Sequence, residues 1–110
     1  MKKKISASAG SGNIFADLGF SAAEADELSA KSALIEAIAD TIARRKLSQV
    51  AAARLCRTDQ PTLSKVLRGR MESVTLDRLA AWLIALGRTV EIRVKPFNNK
   101  VRTGQLIAAP

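Results

Sequence analysis

The side chains best suited to recognising another molecule lie in one short segment of this 110-residue chain, residues 60–70. Gln60, Thr62 and Lys65 place an amide, a hydroxyl with its methyl group and an ammonium near the start of a predicted helix. Glutamine can form two hydrogen bonds with adenine, lysine reaches the acceptors of guanine, and the threonine methyl contacts that of thymine. Pro61 can touch a thymine methyl as well. This pattern predicts recognition of base edges in the DNA major groove.

Other polar and basic side chains near this segment suit phosphates, which position a protein on DNA without specifying its sequence. They are Arg57, Ser64, Arg68 and Arg70. The formal net charge of +8, whose excess lies in residues 31–110, favours a polyanionic partner such as DNA. The alternative for each of these charges is an ordinary solvated helix surface, and Ser64 can instead bond its own backbone.

Two short helices with a tight turn between them must position these side chains. Ser48 can cap a helix over Gln49–Cys56, and Asp59 can cap the next one, which ends at Gly69. Pro61 falls in the first turn of that second helix, where its missing N–H costs nothing. Its apolar side chains fall on one face and predict its anchorage in the core: Leu63, Val66 and Leu67. This combination is a helix-turn-helix arrangement.

The rest of the chain predicts an all-α fold, a compact bundle of about five helices. A capping box at Ser21–Glu24 begins a long helix from about Ala22 to Lys46, and Thr75 can cap another from Leu76 to Leu86. The aromatic content of 4% requires a core built from aliphatic side chains. The apolar patch at 14–20 is either a strap packed on the domain or a segment that binds a partner.

After the last predicted helix the sequence period changes to two. Residues 89–95 alternate apolar and charged side chains, which predicts a short C-terminal β-strand, half-buried through Val90, Ile92 and Val94. A lone strand needs a partner, and pairing with the same strand of another copy would make a symmetric homodimer. The predicted divisions are a disordered tail at 1–13, one domain at 14–95 and a flexible basic tail at 96–110.

Several function classes are not expected from this composition. With no histidine and one cysteine, the chain can form neither an internal disulfide nor a Cys/His zinc site. Cys56 falls at an apolar helix position and is expected to be a small buried hydrophobe. No glycine-rich phosphate loop or paired carboxylates indicate an enzyme, and no cofactor is implied. No apolar run approaches the roughly 20 residues of a membrane span, so we expect a cytoplasmic protein.

The residues described above resemble the Cro/C1-type (XRE) helix-turn-helix family, and most of all its HigA-like antitoxin branch. The resemblance lies in Leu47–Gln49, Gln60–Gly69, Thr75–Leu79 and Leu86–Ile92, and residues 12–19 are similar to an N-terminal extension of some members. It implies a dimeric repressor that binds a palindromic operator. In the antitoxin branch it also implies neutralisation of a RelE-like ribonuclease toxin and repression of the operon that encodes both proteins.

The resemblance also carries residue-level expectations. It implies that Gln49 bonds a phosphate and buttresses the first recognition residue, Gln60. Two positions depart from the family pattern: Arg57 stands where the turn usually has glycine, and Cys56 where leucine is common. Because a non-glycine residue with positive φ carries a modest cost, a local difference in the turn is expected. The alternatives are a stand-alone dimeric regulator without a toxin and, less favoured by the basic residues, an adaptor that does not bind DNA.

Overall fold

The computed structural model describes residues 13–109, and in that part of the chain all regular secondary structure is helical. The five α-helices are α1 (Ile14–Asp17), α2 (Ala22–Arg44), α3 (Gln49–Leu55), α4 (Gln60–Leu67) and α5 (Leu76–Ala85), and a 3₁₀ turn at Met71–Ser73 joins α4 to α5. The predicted helical architecture is confirmed, with helix ends within two residues of those expected. None of the described helices is both long and apolar enough to cross a membrane.

Side-chain caps fix where the helices begin. The Ser21 hydroxyl accepts a hydrogen bond from the Glu24 amide at 3.2 Å, and the Glu24 carboxylate accepts one from the Ser21 amide at 3.1 Å, which completes the capping box. The hydroxyls of Ser48 and Thr75 cap α3 and α5 in the same way, at 3.1 Å each. Each cap satisfies a backbone N–H that has no partner inside its helix, so the sequence itself defines these starts.

An aliphatic core joins α2, α3, α4 and α5. Its largest fully buried side chains are Ile38, Leu63, Val66, Leu79 and Leu86. Burying each side chain of this size stabilises the fold by about 1.5–3 kcal/mol relative to leaving it in water. Because Leu63 and Val66 belong to α4, their burial fixes the rotation of this helix and turns its other face outward.

The apolar patch near the N-terminus packs on the first half of α2. Asn13 caps α1 and donates a hydrogen bond from its side-chain nitrogen to the Ala25 carbonyl at 3.1 Å. Phe15 is buried, and its ring meets that of Phe20 edge-on with centroids 6.3 Å apart. The segment is therefore packed on the domain as a strap, which is one of the two alternatives that the sequence left open. Residues 1–12, which make up nearly all of the predicted disordered tail, lie outside the described residues.

Three long side chains tie α2 to distant parts of the fold. The ammonium of Lys31, which is buried, donates to the Met71 carbonyl at 3.1 Å and lies 3.4 Å from the carboxylate of Glu27. Arg45 donates to the Leu86 carbonyl at 3.0 Å at the end of α5. The guanidinium of Arg88 donates to the Thr41 hydroxyl at 2.9 Å. Both the connection after α4 and the end of α5 are thus held against the long helix.

The predicted C-terminal strand is wrong for the single chain. Residues 88–97 have no regular secondary structure, and Ile92 and Val94 are each 88% exposed. Only Val90 is partly buried, against the core of its own chain. A strand needs a neighbouring ladder to satisfy its backbone, and the described part of this chain offers no second strand. Farther on, in the predicted basic tail, the Leu106 amide donates to the Asp26 carboxylate at 3.2 Å.

Candidate nucleic-acid interface

The turn between α3 and α4 keeps a left-handed backbone at Arg57, whose φ is +58°. The amide of Arg57 donates to the Arg54 carbonyl at 3.1 Å, and that of Thr58 donates to the Ala53 carbonyl at 2.9 Å. These bonds close the end of α3 in a way that glycine usually permits. The local difference expected at this position is therefore not seen, because arginine itself adopts the strained conformation.

The outer face of α4 carries the side chains predicted to meet bases. Pro61 and Lys65 are exposed, whereas Gln60 and Thr62 are half-buried at the start of the helix. The opposite face is held in the core, with Leu63 0% and Val66 1% exposed. The structure therefore brings the four predicted residues to the leading part of one helix, on the side that packing leaves open.

A hydrogen bond between two glutamines joins the starts of α3 and α4. The Gln60 Nε2 donates to the Gln49 Oε1 at 2.8 Å across the turn. This bond uses one of the two N–H donors of Gln60, so its other N–H and its Oε1 can form further hydrogen bonds. Those are the two groups that glutamine needs to bond adenine in a bidentate way. The amide N–H groups of Gln49 also stay available, as a phosphate contact requires.

Asp59 fixes the leading end of α4 through its carboxylate. Its Oδ1 accepts a hydrogen bond from the Thr62 amide at 2.7 Å. The hydrogen bonds from Thr62 hold the pKa of the Asp59 carboxyl below its ordinary value of 3.8, and the positive charge of Lys65 acts in the same direction. The carboxylate is therefore ionised at neutral pH, where it caps the helix.

The predicted phosphate contacts divide into two groups. Ser64 and Arg68 are linked, since an Nη1 of Arg68 donates to the Ser64 hydroxyl at 2.7 Å near the end of α4. The serine hydroxyl keeps its own hydrogen for another acceptor. Arg57 and Arg70 lie in the turns before and after α4, and both are exposed. Their guanidinium groups can reach a polyanion that lies along this helix.

One basic residue at this surface was missed by sequence reasoning. Arg78, in the first turn of α5, places its guanidinium carbon 5.5 Å from the centroid of the Trp82 ring. Its Nη2 lies 3.5 Å from the hydroxyl of Thr58, in the turn that precedes α4. Twenty positions separate these two residues in the sequence. The sequence feature that could have identified Arg78 is its positive charge, because a cation in the first turn of a helix opposes the helix dipole.

Behind the turn, Cys56 packs into the core as predicted. It is 7% exposed, and its sulfur lies 3.8 Å from the carbonyl oxygen of Trp82. Burial raises the pKa of its thiol above the ordinary value of 9.0. The cysteine that stands in place of the usual leucine therefore remains an uncharged part of the apolar core.

A capped helix, a left-handed turn and a second helix with a polar outer face together define a helix-turn-helix domain. A family model described as a helix-turn-helix domain matches residues 14–95, and the chain belongs to this family. A solved structure assigned to the XRE family of transcriptional regulators is similar, with a TM-score of 0.71 and 29% identity over 79% of this chain and 98% of that one. No curated protein matches. These findings support a DNA-binding transcriptional regulator.

Proposed function

We propose that this protein is a sequence-specific transcriptional repressor of the XRE type that reads DNA with α4. The observation that carries the proposal is the 2.8 Å hydrogen bond from Gln60 to Gln49. This bond fixes the Gln60 amide for contact with a base and leaves the N–H groups of Gln49 free for a phosphate. It is therefore better explained by DNA recognition than by packing of the core. We propose a binding function without catalysis.

In this proposal the contacts divide by chemistry. The base edges are met by side chains on the leading part of α4: Gln60, Pro61, Thr62 and Lys65. The phosphates are met by side chains around them: Gln49, Arg57, Ser64, Arg68 and Arg70. The second set fixes the position of the protein on the duplex, and the first set supplies its sequence preference.

We propose further that the repressor is a homodimer. Ile92 and Val94 are 88% exposed and Phe97 is 89% exposed in a single copy. Covering side chains of this size contributes about 1.5–3 kcal/mol each, so a second copy that packs on this segment would be substantially stabilised. A two-fold axis would also match a palindromic operator. The Ile92→Asp variant should therefore be monomeric by light scattering, and a variant that stays dimeric would place the interface elsewhere.

The antitoxin function is the finer part of the proposal, and its partner is a RelE-like ribonuclease toxin. Its support is the resemblance together with the surface of α1 and the start of α2. There the exposed apolar side chains of Leu18 and Phe20 are followed in the sequence by Glu24 and Glu27, which are also exposed. An apolar surface with acidic neighbours suits a basic protein. The second candidate is a stand-alone dimeric regulator. Co-expression with the adjacent gene distinguishes the two, because a stable complex should purify only if the protein is an antitoxin.

The first experiment compares binding to the upstream promoter DNA of its own gene with binding to a scrambled duplex of equal length, at about physiological salt. We expect the promoter to bind at least about a thousandfold tighter, with a symmetric footprint whose half-sites lie roughly one helical turn apart. Lys65→Ala should relax the preference at one base pair of each half-site, whereas Lys100→Ala, which removes the same charge from the tail, should not. Equal and weak binding to both duplexes would overturn the proposal.

A further inference from the structure

We propose that Arg78 is an additional phosphate contact, which extends the DNA-binding surface from the helix-turn-helix onto α5. The inference rests on the proposed function, since it needs DNA to lie along α4. Arg78 is exposed, and its guanidinium lies against the turn that leads into the recognition helix. It would thus meet the backbone of the duplex beside the bases that Gln60 and Thr62 contact.

The position of the guanidinium is set by two neighbours. The ring of Trp82, which is only 2% exposed and fixed in the core, lies 5.5 Å from the guanidinium carbon. The Thr58 hydroxyl lies 3.5 Å from Nη2. An arginine has five N–H donors, and Thr58 engages one of them. The others remain available in the planar arrangement that matches two phosphate oxygens.

The charges around Arg78 also favour a cation at this position. Thr58 is followed directly by Asp59, whose carboxylate is ionised and stands at the leading end of α4. A carboxylate at that end repels the DNA backbone, and a cation beside the same turn offsets the repulsion. Within its own helix Arg78 is placed unfavourably, because the first turn of α5 prefers a negative charge. A phosphate bound to Arg78 would offset this repulsion between the cation and the dipole of α5.

The test measures how the affinity for the promoter duplex depends on salt concentration, for the wild type and for Arg78→Gln. Each phosphate contact contributes about 0.9 to the slope of log K against log salt, so the variant should lose about 0.9 per copy bound. If the two proteins bind equally at 1 M salt, this slope weakens binding of the variant about fivefold per copy at 0.15 M. Arg78→Lys keeps the charge and should keep the slope.

The control is Arg44→Gln, which removes the same charge from an arginine on the outside of α2. The guanidinium of Arg44 is paired with the carboxylate of Asp40 at 2.8 Å, and the slope of this variant should not change. Urea unfolding followed by circular dichroism reports whether each variant keeps its stability, because the emission of Trp82 would respond to the loss of Arg78 itself. If Arg78→Gln loses stability, Arg78→Met retains the aliphatic stem over the ring and gives the same measurement.

The outcomes separate this inference from the proposed function. A wild type that prefers its promoter, with an unchanged slope in Arg78→Gln, overturns the role of Arg78 alone. A slope that falls equally in Arg78→Lys also overturns it, because the loss would follow from the changed packing on Trp82 rather than from charge. A wild type without promoter preference contradicts the proposed function itself.

Discussion

Replacing Arg57 with glycine should stabilise the fold and weaken DNA binding at the same time. Its φ of +58° places a side chain in the left-handed region, which costs about 1–2 kcal/mol for a residue with a β-carbon. Glycine removes that cost but loses about 0.5–1 kcal/mol through the greater freedom of the unfolded chain. The net gain for Arg57→Gly is therefore about 0–1.5 kcal/mol. At the middle of this range, about 0.75 kcal/mol, Tm of a domain of this size should rise by about 3–6 °C.

Arg57→Ala separates strain from charge. Alanine keeps the β-carbon and hence the strain, so its stability should stay within about 0.5 kcal/mol of the wild type. Both variants lose the guanidinium, and both should reduce the salt dependence of promoter binding by about 0.9 per copy. Lys46→Gly is a matched variant for the backbone effect, because Lys46 is also exposed and has a φ of +56°.

The assays are urea unfolding and promoter binding over a salt series. The reasoning about strain is refuted if Arg57→Gly is no more stable than Arg57→Ala. The assignment of Arg57 to a phosphate is refuted independently, if neither variant alters the salt dependence. Lys46→Gly should show a gain in stability similar to that of Arg57→Gly. A loss of stability would mean that glycine does not relieve backbone strain at these left-handed positions.

Three further predictions concern α4. A double-mutant cycle on promoter binding with Gln49→Ala and Gln60→Ala should give a coupling of about 1 kcal/mol, and additive effects would mean that the bond between them does not serve recognition. Leu63→Ala should cost about 2–5 kcal/mol in urea unfolding, because this side chain is 0% exposed, and a smaller loss would show that the core closes around the gap. Asp59→Asn should be less stable than the wild type at neutral pH. Folding lowers the pKa of Asp59, so the difference in stability should decrease as the pH falls below 3.8 and disappear below the folded-state pKa. A difference that persists at lower pH would exclude ionisation of Asp59 as its cause.

Local signals accounted for most of the fold. The caps at Ser21, Ser48, Asp59 and Thr75 were visible in the sequence because each acts on an amide only three residues away. The inner face of α4 followed from helical spacing of its apolar residues. The position of the leading candidate residues at the start of α4 followed in the same way, whereas their contacts with DNA stay a prediction.

What sequence reasoning missed depends on contacts between distant segments. Alternation at 89–95 shows which side chains share a face, but it contains no information about whether a neighbouring ladder exists. Lys31 looks like an ordinary surface lysine within an acidic stretch of helix, yet its ammonium is buried against the Met71 carbonyl. Arg78 comes to lie beside the turn that precedes α4 only when α5 packs against that turn. Such positions follow from tertiary packing and leave only weak local traces.

The burial of Cys56 gives the helix-turn-helix a built-in chemical probe. It is the only thiol in the sequence, and its carbonyl neighbour belongs to the only tryptophan. A thiol reagent reaches this sulfur only when α3 separates from α5, so its reaction rate measures how often the motif opens in otherwise native protein. If DNA binding also holds α3 against α5, operator binding slows the labelling of Cys56 in proportion to that restraint. The local breathing of the DNA-reading element can thus be followed without adding any label site to the chain.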